Sequence, residues 1–227
     1  MKRIMILAAH PDDEVLGCGG IISKYRNQKV DFKIVFIGEG SSCRFDDPLN
    51  FLALDAIKQR ELAALSAMKI LGVDDYEFHN MPCGRFNQIP IIEINKIIER
   101  AIVNFCPDTI LMHSLYDANN DHKIVFKSAI MATRPSIQNK ILKLLTYEVP
   151  SSSEWAYSAS FMPNIFEQLQ SEDMQRKWQA LLCYQTEIKP FPFPRSQEGL
   201  KTFAMMRGMQ SGFQFAEAFQ LIREFRL

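Results

Sequence analysis

The chain predicts an α/β layered fold around a mostly parallel sheet, and three observations predict it. Apolar stretches of strand length alternate with longer segments of helical spacing over residues 1–149. The first stretch, Arg3-Ile-Met-Ile-Leu-Ala-Ala, is apolar on both faces, as a central strand of a parallel sheet must be. Polar segments rich in His, Asp and Gly follow at the ends of such stretches, where open α/β sheets place their ligands.

In chain order, a helix is expected from about Glu14 to Asn27 and a second strand over Asp31-Phe-Lys-Ile-Val-Phe-Ile, ending at Gly38-Glu39-Gly40. The Ala-rich segment Leu54 to Leu71 reads as a helix stopped by Gly72, and a short strand lies around Tyr76 to His79. Ile94, Ile97, Ile98, Ala101 and Ile102 recur at helical spacing within Ile91 to Phe105, and Pro107 marks that helix's end. Asp108 to His113 is another buried strand, Lys123 to Thr133 a helix, and Ile141 to Val149 a fifth strand. Past Val149 the texture changes. Ser151-Ser-Ser, Pro163 and Pro190-Phe-Pro-Phe-Pro-Arg195 suggest irregular chain laid over the core, interrupted by helices near Glu172 to Tyr184 and Phe213 to Phe225. The expected whole is a single Rossmann-like domain over 1–227. Residues 1–149 form its core, helices cover both faces of the sheet, and 150–227 is an extension packed on the core and covering the site.

Composition excludes several classes. Hydrophobic residues make up 47% and charged residues 23% of the 227, enough for a sizeable core. Twenty-six basic residues balance twenty-six acidic ones, so charge gives no reason to expect a nucleic-acid partner. The longest apolar run, Ile4 to Ala9, is too short for a membrane span and runs straight into His-Pro-Asp-Asp-Glu, unlike a signal peptide. Five cysteines without a C-x-x-C pair argue against a disulfide framework or a cysteine zinc knuckle. A reduced, cytoplasmic protein is the expectation, and a homo-oligomer is compatible with it.

The chemistry concentrates in two segments. Ala9-His10-Pro11-Asp12-Asp13-Glu14, followed by Gly17-Cys18-Gly19-Gly20, lies just past the first strand. Pro11 disfavours helical geometry at His10, and a helix-initiating turn can bring His10 and Asp13, three apart, to one side. An Asp-rich helix cap with an ordinary turn histidine is the plainer alternative for this segment alone. A dinucleotide loop is disfavoured, because Ser23 stands where the third glycine of G-x-G-x-x-G would fall and the acids would repel a pyrophosphate. The second segment, His113-Ser-Leu-Tyr-Asp117-Ala-Asn119-Asn120-Asp121-His122, leaves a later strand and enters a helix in the same way. His10, Asp13 and His122 together make two imidazoles and a carboxylate with a position left for water, the pattern of a catalytic zinc. Asp12 is then free to accept the water's proton.

These segments, with Arg60 upstream of Leu71-Gly72-Val73, resemble the PIG-L / LmbE family of zinc-dependent N-deacetylases along nearly the whole chain. Tyr147 to Trp155, Pro194-Arg195-Ser196, Arg207-Gly208 and Ala216-Glu217-Ala218-Phe219 look like one bacterial branch of it. The resemblance implies removal of the acetyl group from an amino sugar that is nucleotide-, lipid- or glycan-linked. It implies His10, Asp13 and His122 as ligands of Zn2+, with another divalent ion such as Fe2+ compatible, Asp12 as general base, and Arg60 as a substrate contact. Many relatives carry a histidine three residues before the second zinc-binding histidine; here that position is Asn119. An amide can donate to an oxyanion but cannot carry a proton or form a charged pair with Asp121, so Asn119 and Asp121 are candidate catalytic residues only. Two other readings stay open. One is a sugar-binding relative without turnover, and the other a non-haem iron oxygenase, which also uses two histidines and a carboxylate.

Remaining residues carry weaker signals. His113 and Asp117 read as a strand-end histidine and a turn aspartate, with a missing acid as the functional alternative. His79 reads as a loop histidine; the five cysteines have no catalytic partner at a recognisable spacing, and most read as buried small hydrophobes. Lys189, Arg195, Lys201 and Arg207 face only Glu198, a local excess read as a solvated basic surface ahead of a phosphate contact. Trp155, Phe191 and Phe193 could stack on a sugar or belong to the core.

Overall fold

The computed structural model describes residues 1–135 and 141–226. Its elements are β1 Arg3–Ala8, α1 Asp13–Tyr25, β2 Asp31–Gly38, α2 Phe51–Leu71, β3 Asp75–Met81, α3 Ile91–Phe105, β4 Thr109–His113, α4 Asn120–Ala132, β5 Lys143–Tyr147, β6 Ile165–Leu169, α5 Ser171–Leu181, α6 Gln197–Ser211 and β7 Phe215–Glu224. Seven strands form one sheet in the order β3-β2-β1-β4-β5-β7-β6. The first five are parallel, and β7 runs antiparallel to both β5 and β6. The expected mostly parallel sheet is present.

Alternation along β1 explains why both faces are covered. Ile4, Ile6 and Ala8 join one core cluster with residues of α1, α2 and α5, and Met5, Leu7 and Ala9 join another with residues of α3 and α4. Every one of these side chains is fully buried. Strand order reverses beside β1: β2 lies on one flank and β4 on the other, so the carboxyl ends of β1 and β4 open onto a switch-point crevice. No helix among the described residues is long and apolar enough to cross a membrane.

Helix ends follow local chemistry. Asn50 caps α2 by accepting from the Ala53 N–H at 2.8 Å, so the helix begins three residues earlier than Leu54. Its first turn carries the exposed Phe51 and Leu52, which break the buried stripe that marks the rest. Gly72 ends the helix at φ 74°, a left-handed conformation that glycine adopts without a Cβ penalty.

The C-terminal third departs from expectation. The segment near Phe213 to Phe225 is not a helix but β7, and the preceding residues 197–211 form α6. In Phe215-Ala-Glu-Ala-Phe219 all five residues are buried, because β7 lies between β5 and β6 and packs against α1, α5 and α6. Small alanines between phenylalanines mimic a helical stripe there. The helix had its own markers: Ser196 accepts from the Gly199 N–H at 2.9 Å at one end, and Gly212 takes φ 77° at the other. Residues 182–196, between α5 and α6, remain largely irregular and cross the carboxyl end of the sheet.

Candidate metal centre and its surroundings

Asp12 stands at the turn between β1 and α1 with φ 121°, a backbone conformation that costs a non-glycine residue about 1–3 kcal/mol. That turn directs Asp12 and Asp13 apart. The Asp13 carboxylate accepts from the His10 N–H at 2.8 Å and lies against three imidazoles. Its Oδ2 is 3.7 Å from His10 Nδ1, 3.4 Å from His122 Nε2 and 3.4 Å from His113 Nε2. All four residues are buried.

Each imidazole is oriented by a partner. His10 Nε2 donates to Asp121 Oδ2 at 3.0 Å, which leaves Nδ1 with its lone pair toward Asp13. Asp121, fully buried, also accepts from the Gly84 N–H at 2.6 Å and the Phe86 N–H at 3.2 Å. His122 Nδ1 lies 3.2 Å from Asp117 Oδ1, leaving Nε2 toward Asp13. Asp117 is fixed in turn by the hydroxyls of Ser152 and Ser153. His113 is different. Its Nε2 accepts from the Ala9 N–H at 2.9 Å and is occupied, while burial and the neighbouring His122 push its pKa down to about 4. It remains neutral and stacks on His122, ring centroids 3.9 Å apart. The reading of His113 as a strand-end histidine agrees with this placement. Asp117 does more than shape a turn, because it orients a ring of the triad.

The donor set suits a divalent ion. One ligand atom from each of His10, Asp13 and His122 lies within 4.8 Å of the others. Ligands about 2.0–2.1 Å from a tetrahedral zinc sit roughly 3.3 Å apart, close to the distances from Asp13 to both rings. Charge agrees with geometry. Burial opposes ionisation of Asp13, but His122 and His113 hold its carboxyl well below the usual range. Burial opposes a charge on His122 too, yet Asp13 and Asp117 push its pKa up to about 10. A centre that so favours a proton favours a metal cation for the same reason. His10, Cys83 and Asp121 are also mutually close, but His10 and Asp121 satisfy each other through a hydrogen bond.

Asp12 faces a separate, cationic wall. Its Oδ2 accepts from Arg195 Nη1 at 2.5 Å and pairs with Arg60 Nη2 at 3.0 Å. Burial raises its pKa and the two guanidiniums lower it, with a net rise above the ordinary carboxylate value. Arg60 is buried, donates from Nε to the Pro11 carbonyl at 2.7 Å, and reaches Glu187 through Nη1. Glu187 joins Arg60, Arg44 and Arg195; despite burial, these arginines hold its carboxyl at about 2. Arg195 therefore belongs to the site and not to a solvated basic surface. Arg207 also departs from that reading, since its guanidinium pairs with Glu148 Oε2 at 2.5 Å. Trp155 and Phe191 are not core: they are 43% and 59% exposed, and Trp155 and Phe193 line an open apolar cleft with Lys189.

Asn119 caps α4, its Oδ1 accepting from the Asp121 N–H at 2.8 Å. That bond orients the amide at the start of the helix that carries His122. Glu187 and the serines at 151–153 had no motif signal, because each acts on residues far away in sequence.

A doubly wound α/β sheet with a buried two-histidine, one-aspartate centre and an adjacent aspartate at its switch point has the arrangement of a metallohydrolase. Residues 5–133 match the family described as PIG-L, GlcNAc-PI de-N-acetylase, and the chain belongs to that family. It is similar to the uncharacterized deacetylase YaiS of Escherichia coli K12, with 28% identity over 79% of this chain and 89% of the relative. Similarity to the diacetylchitobiose deacetylase of Thermococcus kodakarensis is 23% over 98% of this chain and 84% of that one. Among solved structures, GalB, the 4-carboxy-2-hydroxymuconate hydratase of Pseudomonas putida KT2440, superposes with a TM-score of 0.78. It is 21% identical over 100% of this chain and 98% of its own. That last likeness concerns the fold alone, since a hydratase and deacetylases share it.

Proposed function

We propose that the chain is a zinc-dependent amidohydrolase that removes the acetyl group from an N-acetylated amino sugar, free or carrier-linked, in the cytoplasm. The observation that carries this reading is the convergence of His10, Asp13 and His122 beside an aspartate that is not part of the triad. Family membership and the deacetylase relatives support the reaction class. Zinc held by the triad supplies Lewis acidity, which acidifies water and polarises the amide carbonyl.

The chain's own groups do the rest. Both guanidinium contacts on Asp12 fall on Oδ2, leaving Oδ1 to take a proton from the attacking water. Water oxygen bonds to the acetyl carbon, and the C–N bond breaks as Asp12 returns that proton to the leaving amine, giving acetate and the free amino sugar. A carboxyl raised above its ordinary pKa by burial is suited to both transfers. Asn119 Nδ2, its amide anchored through Oδ1, donates to the oxygen of the tetrahedral adduct.

Acetate release from a panel of N-acetyl sugars, with metal content measured in parallel, tests this reading. Wild-type protein is expected to hold about one zinc per chain and to lose activity with a chelator. Asp12→Asn should retain the metal while turnover falls by about 10³-fold or more. Undiminished acetate release from Asp12→Asn would remove Asp12 as the base, and a loaded protein inactive on every N-acetyl sugar would leave the sugar-binding reading.

A further inference from the structure

Cys43 and Cys83 are 40 residues apart in sequence, yet their sulfur atoms lie 2.9 Å apart and unbonded. This approach is closer than the ~3.5–4.0 Å of ordinary nonbonded packing, and a disulfide requires about 2.05 Å. Backbone structure sets up the pair. Cys43 lies in a 3₁₀ turn, Ser42–Arg44, after β2, and Cys83 follows β3, the parallel neighbour of β2. One carboxylate ties the two turns together: Glu39 accepts from the N–H groups of Ser41 at 2.6 Å, Ser42 at 2.9 Å and Cys83 at 2.7 Å. Next to Cys83, a Cβ built on Gly84 would stand 3.2 Å from Cys43 Cβ, so the chain at Gly84 packs closely against Cys43.

We propose that Cys43 and Cys83 are an oxidative modification site, forming a reversible disulfide with hydrogen peroxide as the oxidant. Cys43 is the exposed member and attacks first; Cys83 is buried and resolves. The Cys43 thiolate bonds to one peroxide oxygen, the O–O bond breaks, and a sulfenic acid and one water result once the leaving oxygen is protonated. The Cys83 sulfur then bonds to the Cys43 sulfur, the S–O bond breaks, and a second water leaves with the Cys83 proton. Two thiols are oxidised by two electrons and one peroxide is reduced to two waters. A dithiol reverses the bond by exchange. The hydrogen bond between the thiols favours this order, since, with partial burial working against it, it lowers the Cys43 pKa to about 6.

Position gives the site its interest. Gly84, adjacent to Cys83, donates the N–H that holds Asp121, and Asp121 holds His10. The proposal does not depend on the deacetylase reading, because its test is chemical. Purified protein is treated with about one equivalent of hydrogen peroxide, its remaining thiols are alkylated, and it is digested with trypsin without reduction. The expected product joins peptides 34–44 and 70–85, two hydrogens lighter than their sum and separated by dithiothreitol. Cys43→Ser, at an exposed position, should fold normally and yield no such species, while Cys106→Ser should yield it as wild type does. Alkylation of both Cys43 and Cys83 under conditions that oxidise Cys106 would overturn the proposal. So would accumulation of Cys43 sulfinic acid with Cys83 still a free thiol.

Discussion

At the scale of single residues, the site divides into side chains that hold a cation and side chains that hold Asp12. Arg195 belongs to the second group, and its contact with Asp12 Oδ2 is the shorter of the two guanidinium contacts. Removing it leaves Arg60 as the only guanidinium on the base. A charge-assisted bond of about 1.5–3 kcal/mol is lost, so Arg195→Ala should lower kcat by about 10- to 100-fold with zinc content unchanged, as steady-state kinetics and metal analysis would show. Glu14 makes a second prediction. It accepts from the Asp12 N–H at 2.9 Å and from the Tyr184 hydroxyl at 2.6 Å, and burial pushes its pKa from 4.5 up to about 8. The folded protein therefore keeps a proton on Glu14 over a pH range where the unfolded chain has lost it. The contribution of this group to stability is full below about 4.5 and is lost as pH rises through about 8. In the metal-free protein, denaturant melts should show a fall on the order of 1 kcal/mol per pH unit from about pH 5 to about pH 8, levelling off above it, that Glu14→Gln abolishes. His10, Asp12 and Asp13 could be picked out in the sequence because they lie within five residues of the end of β1, and His122 because it closes a dense His/Asp/Asn segment that runs from the end of β4 into α4. Arg195 stood out only as part of Pro194-Arg195-Ser196 and of a local basic excess, and its role could not be read, because it meets Asp12 across 183 positions.

Elements are joined by buried ion pairs that local periodicity does not report. Glu217 on β7 accepts from the Gly20 and Ile21 N–H groups of α1 at 2.7 Å each, and Lys177 of α5 donates to it and to the Leu16 carbonyl at 2.7 Å each. Gly20 makes this approach possible, since a Cβ there would stand 2.4 Å from Leu169 Cδ1 and 2.8 Å from the Glu217 carboxylate. The pair braces the helix whose first turn carries Asp13. Lys177→Met strands a buried carboxylate and should cost about 3–5 kcal/mol in chemical denaturation. Adding Glu217→Gln should recover part of that loss, because no buried charge is then left uncompensated; a double variant no more stable than Lys177→Met would show that packing, not charge, is what failed. Before Tyr147 the central strands were legible as unbroken apolar runs and the helices by an apolar stripe: α3 matches Ile91 to Phe105 at both ends. β7 was misread because Glu217 and Gln220 break its apolar run while Phe215, Ala218, Phe219 and Ile222 fall at helical spacing, and β6 is short and mostly half-buried, with little apolar signal.

For the whole molecule, the question is whether residues 1–149 can stand alone, since the family match ends at residue 133. The sheet argues against it. β7 occupies the open edge of β5, pairing Tyr147 with Phe219 and Lys143 with Glu224, and β6 closes the far side. Without them, the backbone edge of a strand bearing fully buried Leu144, Leu145 and Tyr147 would face water. The same truncation removes α5 from the face of α1, and both Arg195 and Glu187 from the environment of Asp12. We therefore propose one cooperative unit over the full chain, with the extension completing both sheet and site. Thermal and urea unfolding of the full chain should give a single transition by circular dichroism and by tryptophan fluorescence, with coincident midpoints. A fragment ending at Val149 should aggregate or elute as an expanded species in size exclusion, with no cooperative melt. A monomeric fragment that melts cooperatively would instead make the first five strands an autonomous domain, and Arg195 a residue delivered to Asp12 by a separate unit.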